Sequence, residues 1–237
     1  WLRNTIRTTV RDWGYEYLKL DGLSFAAVSS TLVRYHTPGT TALANYIGVR
    51  VYDSANNTIG GAGVGEGNTI SGNANAGILV SNPSATNTLI EGNVIGLNAA
   101  GTATVGNGGA GVAITSTGAN HRVLSNSISG NTGLGIDLGD DGATANNGAT
   151  SSSVAGQGVD YPVLSQANLV GTTLTLAGYV GSAPGQATFA NARVEFFLAD
   201  GSGSGKTYLG FLTTDANGNY SGSLTVAGVV DTDQITA

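Results

Sequence analysis

Gly48-Val49-Arg50-Val51, Gly77-Ile78-Leu79-Val80, Gly111-Val112-Ala113-Ile114 and Gly135-Ile136-Asp137-Leu138 are four versions of one phrase, a glycine leading a short aliphatic run. Their starts lie 29, 34 and 24 residues apart, a spacing at which self-similarity signals stacked repeats, with loops of unequal length accounting for the scatter. Between them stand Asn-led triplets: Asn57-Thr58-Ile59, Asn68-Thr69-Ile70, Asn87-Thr88-Leu89, Asn93-Val94-Ile95 and Asn126-Ser127-Ile128. Each run is too short to be stable alone. Paired in parallel with its counterpart one turn away, it can bury its Ile, Val or Leu inside a tube. Asn and Gly suit the corners because both tolerate left-handed backbone, and stacked Asn side chains can form amide ladders. A flexible Gly/Asn linker would not place an aliphatic pair after each Asn or Gly so regularly. The pattern therefore predicts an all-β chain built on a right-handed parallel β-helix over 48–159.

Working outward, 142–158 holds few hydrophobes and reads as a loop. Beyond it, period-two runs predict a C-terminal antiparallel β-sandwich over 160–237: strands at 160–164, 173–180, 192–198, 207–212 and 220–226, and the start of another at 233–237. Gly96–Asn107 interrupts the rhythm and reads as a loop thrown out from one face. Residues 1–47 differ in composition. They carry both tryptophans and, with Arg50, six of the nine basic residues, which marks a boundary. Leu2, Ile6, Val10 and Trp13 predict one apolar helix stripe ended by Gly14, and Tyr15–Leu20 predicts a strand. This helix and strand would cap the open end of the tube, which otherwise exposes unpaired backbone.

Composition narrows the function. Charged residues are 10%, glycines number 38 of 237 and the net charge is −6. The acidic balance argues against a nucleic-acid partner. Cysteine is absent, which removes disulfides, thiol chemistry and Cys-ligated metals. No run of eighteen apolar residues predicts a membrane span, and no methionine occurs, so Trp1 is expected not to be a translational start. Low charge with abundant Gly, Asn and Thr suits a secreted or cell-surface protein.

Two resemblances sharpen these expectations. The repeats, with Ser71-Gly72-Asn73, Glu91-Gly92-Asn93 and Ser129-Gly130-Asn131, resemble the right-handed β-helix repeats of large bacterial secreted and surface proteins. Arg193–Phe197 and Thr214–Gly218 resemble the sandwich modules that often follow them. That fold hosts lyases, hydrolases, epimerases, adhesins and tailspikes alike, so the resemblance implies architecture rather than activity. Separately, Asp12-Trp13-Gly14-Tyr15-Glu16-Tyr17-Leu18-Lys19-Leu20-Asp21 resembles the nucleophile-bearing strand of α-galactosidase-type (melibiase) retaining glycosidases. That likeness implies Asp21 as nucleophile and Lys19 as a substrate contact. It ends near Tyr46, and retaining hydrolysis needs a second carboxyl group about 5–5.5 Å away, which a fragment of this length does not supply.

Candidate ligands are few. Asp137, Asp140 and Asp141 offer hard oxygens for Ca²⁺, or close the last turn. Asp215, Asn217 and Asn219 are either a second Ca²⁺ set or a hairpin turn. His121 stands where an Asn would begin a triplet. Three functions stay open: a structural or adhesive extracellular module that self-associates into filaments or meets a cell-surface or polysaccharide partner; a carbohydrate-active enzyme, acting through Asp21 or as a polysaccharide-degrading β-helix; and a glycan-binding module. The span from Gly60 to Gly158 contains no Trp, Tyr or Phe, and so offers no stacking platform for sugar.

Overall fold

The computed structural model describes residues 44–237. The expected N-terminal helix and strand, with Lys19 and Asp21, lie outside the described residues. Regular structure within them is nearly all β, in both parallel and antiparallel sheets.

Ten short strands come first: β1 (Val49–Tyr52), β2 (Thr58–Gly60), β3 (Thr69–Ile70), β4 (Ile78–Ser81), β5 (Leu89–Glu91), β6 (Val94–Ile95), β7 (Val112–Ile114), β8 (Arg122–Leu124), β9 (Ser127–Ile128) and β10 (Ile136–Leu138). They form three parallel sheets, ordered β1-β4-β7-β10, β2-β5-β8 and β3-β6-β9. The chain therefore visits the three sheets in rotation, and each circuit lays one new strand on each. Register puts Val51, Val80, Ile114 and Leu138 in one column, Ile59, Ile90 and Val123 in a second, and Ile70, Ile95 and Ile128 in a third. The three columns meet in one continuous core. Each such side chain, fully buried, contributes about 1.5–3 kcal/mol, which strands of two to four residues need in order to hold together.

All four Gly-led runs fall in the β1-β4-β7-β10 sheet, but their glycines serve a purpose other than the expected left-handed corner. Gly48, Gly77, Gly111 and Gly135 are absent from the residues with positive φ. A Cβ on Gly77 would stand 2.7 Å from the Gly111 carbonyl oxygen and 2.9 Å from an Ile95 methyl, and one on Gly111 would stand 2.4 Å from an Ile128 methyl. At Gly48, Gly77 and Gly111 a side chain would collide with the carbonyl oxygen of the next turn and an Ile methyl of its own turn, whereas at Gly135, in the last turn, the nearest atom is an ordinary 3.7 Å away.

The Asn-led triplets divide into columns differently from their spelling. Thr58 pairs with Leu89 and Ile59 with Ile90, so Asn57 aligns with Thr88, and Asn56 with Asn87. Asn57-Thr58-Ile59 and Asn87-Thr88-Leu89 are thus offset by one residue in the stack. Three amide ladders result. Asn68, Asn93 and Asn126 are linked through Nδ2 to Oδ1 at 3.0 and 2.9 Å, and Asn73, Asn107 and Asn131 at 2.7 and 2.8 Å. The third ladder, exposed, runs from Asn120 to Asn87 to Asn56. Only this last set is left-handed, with φ of 60° at Asn56, 53° at Asn87 and 64° at Asn120.

The remaining strands are antiparallel: β11 (Pro162–Val170), β12 (Thr173–Val180), β13 (Arg193–Ala199), β14 (Gly205–Thr213), β15 (Asn219–Thr225) and β16 (Ile235–Thr236). Sheets β11-β12-β15 and β14-β13-β16 share a second core around Leu174, Leu176, Val194, Phe196 and Tyr220, with the Phe196 and Tyr220 rings edge-on at 5.5 Å. β11 runs to Val170, well past the Leu164 where alternation ends in the sequence, because its register against β12 shifts between Leu164 and Gln166.

Candidate functional site

The densest polar cluster among the described residues lies where the last parallel circuit meets the antiparallel unit. Alternation along β13 sends Val194 and Phe196 into the core, and so turns Arg193, Glu195 and Phe197 to the opposite face. There Glu195 Oε2 accepts the Ser125 backbone N–H at 2.7 Å, and Oε1 accepts the Ser125 hydroxyl at 3.3 Å. The Arg193 guanidinium holds that carboxylate in place, with Nε 2.8 Å and Nη2 2.7 Å from Oε1. It also donates to the Tyr208 hydroxyl at 2.9 Å and stacks 3.6 Å above the Phe211 ring centre. Further along, Asp200 Oδ2 accepts the Ser129 hydroxyl at 2.6 Å and the Gly130 N–H at 3.3 Å. Between these two grips, the Ser127 hydroxyl donates to the Lys206 carbonyl at 2.5 Å.

Asp200 is saturated with donors. Its Oδ1 accepts the Ser202 N–H and hydroxyl and the Ser204 N–H at 2.8, 2.6 and 3.0 Å. Burial by itself would raise this carboxyl, but hydrogen bonds from Ser129, Ser202 and Ser204 outweigh it and hold the pKa well below the ordinary carboxylate range. A carboxylate so occupied has no free lone pair with which to take a proton from a substrate. The arrangement is a clamp: two anions on one unit grip the hydroxyls and amides of Ser125, Ser129 and Gly130 on the other.

Neither clamp carboxylate was legible as a site in the sequence. One signal was available: Ser125, Ser127 and Ser129 alternate along the last circuit, where the earlier ones have Gly67, Thr69 and Ser71, or Gly92, Val94 and Gly96. Three hydroxyls facing one way at the end of a stack mark a surface that something must satisfy.

The expected ligand residues all take part in turns. Asp137 is buried, with Oδ2 accepting the Gly142 N–H at 3.1 Å and Oδ1 lacking a partner. Asp140 and Asp141 are exposed. Burial first, then the charges of Asp137 and Asp141, raise the Asp140 pKa. Asp215 Oδ1 accepts the N–H groups of Asn217 and Asn219 at 2.8 and 3.0 Å, while Asn219 Oδ1 accepts from Gly185. The turn's left-handed residue is Gly218 alone, with φ of 74°. Among the described residues no group of three or more His, Asp or Glu side chains is placed to hold a metal ion. His121 aligns with Thr88 and Asn57, with both ring nitrogens buried and, among the described residues, neither in good hydrogen-bond geometry, the Gly118 backbone making at most a weak contact. Burial lowers its pKa against an opposing contribution from the Gly118 backbone. A surface cavity of about 260 Å³ lies between β11 and the 229–235 segment, edged by Asn168, Asp231 and Asp233. Asp233 is turned to its own backbone there, accepting from Val230.

No family model matches the chain, and no solved structure gives a significant match. Among the described residues no helix is long and apolar enough to cross a membrane.

Proposed function

We propose that this chain is a structural module of a secreted or cell-surface protein: a right-handed parallel β-helix acting as a stiff spacer or adhesive stalk, with a β-sandwich clamped to its end. The rotation of the chain through three parallel sheets supports the β-helix, and the strong bias of β-strand crossovers supports its hand. The observation that carries the mechanical role is the polar bonding. Buried amide ladders tie every circuit to the next, and the Glu195 and Asp200 clamps fix the second unit to the last circuit, so bending at either place must break hydrogen bonds to buried or charged groups. The proposed partner is a cell-surface or polysaccharide ligand presented along or beyond the stalk. End-to-end stacking through the C-terminal end is not part of this reading, because β14 lies against β9 there.

Small-angle scattering tests the mechanical claim. A stalk gives a single elongated shape of fixed length, and a Ser129→Ala/Asp200→Asn variant broadens it into an ensemble; a wild-type ensemble of two freely moving bodies refutes the reading. Release of oligosaccharides from a panel of polysaccharides would replace it with the enzymatic one.

A further inference from the structure

Every amide in the inner ladder has its oxygen filled from the circuit before it, except the first. Asn93 Oδ1 accepts both the backbone N–H and the Nδ2 of Asn68, each at 3.0 Å. Asn126 Oδ1 accepts the same two groups of Asn93, each at 2.9 Å. Asn68 is 5% exposed, and its Oδ1 is buried without a partner among the described residues. A buried acceptor left unpaired is costly, and its two sisters define its missing partner: the backbone N–H and side-chain amide of an asparagine one circuit earlier.

The strand edges on that side ask for the same thing. Among the described residues β1, β2 and β3 are each the outer strand of their sheet. Val49 donates to the Gly77 carbonyl at 2.9 Å, so by the alternation of a parallel ladder the N–H and C=O of Arg50 and Tyr52 face away from β4. The opposite end is different, because β9 is met there by β14 and the Ser125 amide is taken by Glu195. A second copy therefore cannot bring its own Asn126 and β9 onto this edge without displacing β14.

We infer that the β1-β2-β3 end is a docking edge for one more turn of polypeptide, with an asparagine at the Asn68 position followed two residues later by an aliphatic one, as in Asn93-Val94-Ile95 and Asn126-Ser127-Ile128, added in parallel register. This rests on the β-helix reading above. The partner is defined by chemistry: the asparagine supplies two donors to Asn68 Oδ1, and its strand supplies the bonds that Arg50 and Tyr52 lack.

The test uses the full chain and, as probe, a synthetic peptide copying residues 111–131, which contains one complete turn with Asn120, Asn126 and Asn131. Backbone hydrogen exchange is followed by NMR. Saturating peptide is expected to slow exchange at Arg50 and Tyr52 by about tenfold or more. A control peptide with Asn126→Ala is expected to bind at least about tenfold more weakly, since two bonds to a buried acceptor are lost. The chain itself is not mutated, so loss of its fold cannot mimic the result. No protection, or equal protection by both peptides, overturns the inference. So does protection that rises with chain concentration alone, which would identify a second copy. If instead Val49, Val80 and Ile114 exchange freely in the unliganded chain, the stacked sheets themselves are absent and the β-helix reading falls first.

Discussion

Replacing Asn93 tests whether the amide ladder carries stability. Asn93 is 1% exposed. It receives the N–H and Nδ2 of Asn68 and donates Nδ2 to the Ile59 carbonyl at 2.9 Å. Asn93→Ala strands all three of these groups inside the stack. At about 1–3 kcal/mol for each buried group left unpaired, the loss should reach roughly 3 kcal/mol, a large share of the 5–15 kcal/mol typical of a folded domain. Asn93→Asp separates acceptor from donor. It keeps an oxygen for Asn68 but sets the other against the Ile59 carbonyl and Asn126 Oδ1, so it should be at least as damaging at neutral pH. Burial among oxygens raises the folded pKa of such an aspartate above its unfolded value. Stability is then fully present below the unfolded pKa and lost as pH rises through the folded one, so acid should partly rescue this variant. The control is Asn87→Gly on the exposed ladder, where glycine accepts the 53° φ and water replaces the lost bonds; its cost should stay below about 1 kcal/mol. Urea denaturation followed by circular dichroism measures all three. If Asn93→Ala costs no more than Asn87→Gly, the buried ladder contributes nothing beyond shape and the reasoning fails.

Other variants address the clamp, the acidic turn and the glycine column. Ser129→Ala removes the 2.6 Å bond to Asp200, worth about 1.5–3 kcal/mol for a charged acceptor, and should speed proteolysis within 142–158. Asp200 has a depressed folded pKa, so its contribution is present above the unfolded carboxyl pKa and lost as pH falls through the folded one; Asp200→Asn should flatten the acid limb of a stability-versus-pH curve. Asp140 has the opposite sign. Its raised pKa means stability declines as pH rises through that value, and Asp140→Asn should remove the decline in the same titration. Gly111→Ala forces a methyl to 2.4 Å from Ile128 and should cost about 1–3 kcal/mol by overpacking. Gly201→Ala, with open space around it, should be neutral in the same melt.

How much of this could be read from the sequence depended on whether a signal was local. The Gly-led runs were legible as one sheet because glycine and the following aliphatics recur together and register carries both. The sheet formed by β2, β5 and β8 was not, because Leu89 and Ile90 are adjacent aliphatics and either could face inward; only stacking on Ile59 selects Ile90, and a slip of one residue reverses every side chain. The end of β11 was hidden by a register shift that breaks alternation, while β12 has no such shift and its limits at Thr173 and Val180 follow directly from period two. The clamp was beyond reach for a different reason. Glu195 and Asp200 lie about seventy residues from Ser125 and Ser129, and no spacing rule links positions that far apart. The polar residues nonetheless sort by a single physical condition: a stacked sheet must satisfy its amides at every level, including its two ends. Inside the stack asparagine meets asparagine. At the C-terminal end carboxylates borrowed from another unit meet serine hydroxyls and backbone amides. At the other end, Asn68 Oδ1 has no partner among the described residues, and the chemistry of its two ladder partners fixes what would fill it.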